Sequence, residues 1–134
     1  GKVCLPSFPG ISNIDSGDVH QKNTDLTINW SAVSNATAID VTIDENITYE
    51  QYSSGLLLPT TTSHTVPSSF FNLASDWSDT AECIITVTAY YGISPDVEYQ
   101  SLDSTNLGYN INGSAGFFIG INGDETTIYV PISD

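Results

Sequence analysis

The chain has 134 residues, 40% of them apolar, with seven Tyr, five Phe and two Trp. That is enough for one sizeable hydrophobic core and too short for several domains. Sixteen acidic residues face only Lys2 and Lys22, for a net charge of −14, which excludes nucleic acid as an expected partner because phosphate recognition needs clustered cations; an anionic membrane surface is disfavoured for the same reason, and no apolar run reaches the roughly eighteen residues of a membrane helix.

Residues 1–22 hold Lys2, Lys22, Asp15 and Asp18, which cancel, so the entire net charge lies in residues 23–134. No Lys or Arg follows Lys22, and the acidic body has no side chain of that kind with which to form a salt bridge of its own. The opening "GKVCLPSFPG" lacks a signal-peptide core, so secretion implies a mature chain or an excised domain. Val3, Leu5, Phe8, Ile11, Ile14 and Val19 nevertheless need burial, and this segment is expected to be an extended N-terminal arm over 1–22, ahead of a β-domain over 23–134.

From Leu26 the period becomes two. Leu26, Ile28, Trp30 and Ala32 alternate with Thr27, Asn29 and Ser31, and Ile39, Val41 and Ile43 alternate with Asp40, Thr42 and Asp44. Both runs predict half-buried strands, joined by the turn formers of "SNAT". The stretch from Tyr49 to Asp79 predicts shorter edge strands and loops, since Pro59 and Pro67 bar it from the middle of a sheet. In "AECIITVTAYYG", Cys83, Ile85, Val87, Ala89 and Tyr91 share one face, opposite Glu82, Thr86 and Thr88. Finally "GFFIGINGDETTIYVPIS" predicts a C-terminal β-hairpin turning at Asn122 and Gly123, because Asn-Gly readily takes positive φ. Without a helical period or an internal repeat, an all-β antiparallel sandwich is the economical fold.

The strand spacing in "LTINWSAVSNATAIDVTID", with Trp30 in the second strand, and the later "CIITVTAYYG" resemble a fibronectin type III domain over roughly Pro9 to Leu102. Ile39 and Cys83 stand where that family usually has tyrosines, which widens the resemblance to an immunoglobulin-like sandwich. The resemblance implies a spacer, an adhesion module or a fibre subunit rather than an enzyme. It also implies that a disulfide from Cys83 to Cys4 replaces the missing tyrosine tether.

The two cysteines have no zinc-type spacing. They are read either as that disulfide, which would close a loop of about 80 residues and contribute roughly 4 kcal/mol, or as buried free thiols. His20 and His64, the only histidines, have no nucleophile motif beside them, and no catalytic residue is assigned. Asp76, Asp79 and Glu82, or Asp40, Asp44 and Glu45, offer oxygens to Ca²⁺, but neither set follows a calcium-loop spacing, so no cofactor or metal ligand is assigned. Asn-x-Ser/Thr sequons occur at Asn29, Asn35, Asn46 and Asn112, and the Ser/Thr run from Thr60 to Thr65 suits O-linked sugar.

These features predict an extracellular or cell-surface structural subunit of a glycosylated filament or surface assembly, whose N-terminal arm adds a strand to another copy. The alternative is a monomeric carbohydrate- or protein-binding adhesion module of a larger secreted protein, with Trp77, Tyr90, Tyr91 and Tyr109 as its aromatic contacts.

Overall fold

The computed structural model of the protein describes residues 5–73, 80–92 and 120–132. These residues form six strands and one short 3₁₀ turn: β1 (Leu26–Asn29), β2 (Ala38–Glu45), β3 (Gln51–Ser53), β4 (Ser63–Val66), the turn Ser68–Phe71, β5 (Thr80–Tyr91) and β6 (Gly120–Pro131). Every strand pair is antiparallel, with β1 beside β4 in one sheet and the order β3-β2-β5-β6 in the other.

The alternation legible in the sequence becomes the core. Ile39, Val41 and Ile43 of β2 and Cys83, Ile85, Val87 and Ala89 of β5 are buried, and they cluster with Ile28, Trp30 and Val66 of the other sheet and with Ile128 and Val130 of β6. One apolar layer between two sheets makes the architecture sandwich-like. Each fully buried Ile or Val contributes about 1.5–3 kcal/mol by leaving water. The Trp30 indole nitrogen donates to the Thr61 carbonyl at 2.9 Å, which satisfies the polar end of this large side chain at the edge of the core. Ala32, expected on the inward face, is exposed, because β1 ends at Asn29.

The expected C-terminal hairpin is corrected. Asn122 and Gly123 lie inside a continuous twelve-residue strand, β6, whose partner is β5 in unbroken register from Thr80↔Pro131 to Tyr91↔Gly120. A long central strand offers more backbone hydrogen bonds to an extended "GINGDETT" than a two-residue turn would. Gly123 serves close approach here: a Cβ at that position would sit 3.1 Å from the Val87 carbonyl.

Residues 5–20 close the open side of the sandwich. Ile11 bridges antiparallel to Trp30, and the amides of Ser12 and Ser31 donate to the carbonyls of Asn29 and Gly10, both at 2.9 Å. The chain then turns at Asp15–Asp18, with Gly17 at φ 98°, and joins the other sheet. There Val19 bridges parallel to Tyr129; the Gly17 and His20 amides donate to Thr127 and Tyr129, and the Tyr129 amide donates to Asp18. Inward polar groups of β6 hold the same segment, as the Asp124 carboxylate accepts from the Ile11 amide at 2.8 Å and the Asn122 amide donates to the Pro6 carbonyl at 3.2 Å. The described part of the expected arm therefore lies against its own chain and links the two sheets.

Candidate functional site

Cys83 is a free thiol buried among Ile128, Glu45 and the rest of the core layer. Burial, then the charges of Glu45 and Glu82, push it up to about 12. Its expected partner, Cys4, lies outside the described residues. In native protein at pH 8, Cys83 is expected to resist an aromatic disulfide reagent and to react once guanidinium unfolds the chain. Thiol counting without reductant checks this: no titratable thiol after unfolding would mean that the two cysteines are bonded.

The acids proposed for Ca²⁺ are separated by the pleat. Asp40 and Asp44 share the outer face of β2, where Asp40 accepts from the hydroxyls of Ser53 and Ser54 and Asp44 accepts from the Gln51 amide at 2.8 Å. Burial raises the Asp40 carboxyl above its ordinary value, and burial together with the Asp40 charge raises Tyr90. Glu45 points the other way and is only 2% exposed. Its carboxylate accepts from the amides of Ile47 and Thr48 and from the Thr48 hydroxyl, locking the turn between β2 and β3. No group of three potential metal ligands occurs among the described residues. Glu82 sits on β5 and is half-buried, while Asp76 and Asp79 lie outside the described residues.

Of the sequons, Asn35 is exposed in a turn at φ 59°. Asn46 is exposed, with its carbonyl oxygen accepting from the Glu82 amide. Asn29 is half-buried between the N-terminal segment and β4, where its side-chain oxygen accepts from Ser63 at 2.7 Å. Asn112 lies outside the described residues. Part of the Thr60–Thr65 run becomes β4, and the Thr65 hydroxyl pairs with that of Thr27 across the sheet at 2.9 Å.

Tyr90 and Tyr91, being consecutive on β5, face opposite sides, so they do not form one aromatic surface; Trp77 and Tyr109 lie outside the described residues. A different aromatic group is assembled by the fold. Tyr52 of β3 meets His64 of β4 through a 2.6 Å hydrogen bond between its hydroxyl and Nε2, and it meets Phe70 edge-on with ring centroids 5.8 Å apart. Phe70 meets Phe71 edge-on at 5.3 Å, and Phe71 in turn meets the His20 ring at 4.6 Å. Burial raises Tyr52 and lowers His64 from their ordinary values.

Beside this group opens a cleft of about 580 Å³, lined by Thr48, Glu50, Tyr52, Ser69, Phe70 and Asn72, with Pro67 and Leu73 completing its wall. Tyr49, between two of the lining residues, is 83% exposed and adopts φ 61°. No local pattern announces this site, since its walls come from the β2–β3 loop, from β3 and from the 3₁₀ turn with its flanks. The nearest hint is the pair of tyrosines in the polar stretch "TYEQYSS".

No family model matches the chain, and no curated protein or solved structure matches it either.

Proposed function

We propose that the protein is a non-catalytic, extracellular β-sandwich subunit that joins copies of itself by exchanging residues 5–20. The observation that carries this reading is the N-terminal segment. It supplies edge hydrogen bonds to both sheets, yet folded onto its own body it leaves Leu5, Phe8 and Val19 63%, 52% and 71% exposed. A segment bonded in this way can make the same contacts with a second copy, and an assembly can cover the apolar side chains that the single chain leaves in water. The exposed Asn35 turn suits glycosylation of such a surface, which together with the Lys-poor acidic composition supports an extracellular setting.

The strand order supports the immunoglobulin-like, fibronectin type III-like reading. With the segment counted as a first strand, one sheet holds the first, second and fifth strands and the other the third, fourth, sixth and seventh.

The hinge for exchange is Gln21–Asp25. Asn23 holds φ 61° there and donates its amide to the Phe71 carbonyl at 3.1 Å, while Thr24 Oγ1 donates to the Gln21 carbonyl. Proline can adopt neither that φ nor that hydrogen bond, so Asn23→Pro should open the hinge and raise the oligomeric fraction several-fold in sedimentation velocity. Asn23→Gly should keep the closed form. Wild-type oligomers should also grow with salt, which screens the charge of −14. Monomers throughout for wild type and both variants, at high protein concentration and high salt, would sink the proposal.

A further inference from the structure

Whichever way copies of the chain are joined, the cleft between β3, the 3₁₀ turn and the β2–β3 loop has its own chemistry. We propose that it is a binding site for a neutral saccharide, with Tyr52 and Phe70 as the apolar contacts and Glu50, Ser69 and Asn72 as the polar ones.

Two features point to this ligand class. The first is the lining: aromatic rings beside a carboxylate, an amide and a hydroxyl match a pyranose ring, which presents C–H groups on its faces and hydroxyls around its rim. A volume of about 580 Å³ accommodates one or two such rings. The second is charge. With no Lys or Arg after residue 22, nothing in the cleft pairs with an anion, and the surrounding body at −14 repels one. A sialylated, sulfated or phosphorylated ligand is therefore selected against.

Tyr52 is held through its hydroxyl by His64 and meets Phe70 edge-on, so little freedom remains for its ring to lose on binding.

The test uses the full chain against an immobilised set of neutral oligosaccharides built from glucose, galactose, mannose and N-acetylglucosamine. Sialylated and sulfated counterparts and a proline-rich peptide serve as competing ligand classes. At least one neutral glycan should be retained, with saturation transfer from protein to sugar in NMR. Tyr52→Ala should weaken that binding at least tenfold, and Glu50→Ala and Asn72→Ala should each weaken it several-fold. Because Glu50 and Asn72 are exposed, their alanine variants should leave the urea midpoint close to that of wild type, so loss of binding in them cannot be ascribed to unfolding. Retention of no neutral glycan at millimolar concentration overturns the proposal, as does undiminished binding by Glu50→Ala and Asn72→Ala, or preference for the peptide or the charged glycans.

Discussion

Truncating Phe71 to Ala is expected to lower the unfolding free energy by about 3–5 kcal/mol, the range for removing a buried Phe from a core that cannot fully collapse around the gap. Phe71 is fully buried, and it joins three parts of the fold. Its ring touches His20 of the N-terminal segment and Phe70 beside the cleft, and its carbonyl accepts from the hinge amide of Asn23. The loss should therefore reach the attachment of residues 5–20 as well as the core. Equilibrium urea unfolding gives the magnitude, and amide hydrogen exchange at Gly17, His20 and Tyr129 reports the segment. Phe71→Leu, which keeps most of the volume, should cost less than half as much. A Phe71→Ala variant within about 1 kcal/mol of wild type would show that the ring is not the joint described.

Glu45→Ala is expected to cost about 2–4 kcal/mol, since it strips the acceptor from three donors in the β2–β3 turn, among them the backbone amides of Ile47 and Thr48. Glu45→Gln keeps one carbonyl oxygen but turns an amide group towards the remaining donor, and should fall between alanine and wild type. Because this turn carries Thr48, Tyr49 and Glu50, the alanine variant should also lose order at the rim of the cleft, read as raised amide exchange there. A change under about 0.5 kcal/mol would mean that the turn is held by its backbone alone.

The two readings of the molecule are separable. Asn23→Pro acts at the hinge and Glu50→Ala at the cleft, and these residues are carried by different loops, one before β1 and one before β3. Exchange without saccharide binding, or binding by a monomer, would leave one proposal standing and remove the other.

The sequence by itself determined the strands with strong alternation. In β2 and β5, Ile39, Val41, Ile43, Cys83, Ile85, Val87 and Ala89 face the core as their spacing predicts, because a period of two leaves only one way to bury them together. The turn at Asn35 was legible for the same local reason, as Asn tolerates positive φ. Tertiary structure alone decided the fate of Asn122-Gly123, where local turn preference yields to the length of strand that β5 can pair. It also decided where residues 5–20 go, since an apolar, uncharged-on-balance segment fits any free sheet edge and its own chain offers two. The aromatic group beside the cleft lies beyond sequence reading for a related reason: Tyr52, His64 and Phe70 belong to separate elements with no common period, and only the stacking of two sheets brings their rings together.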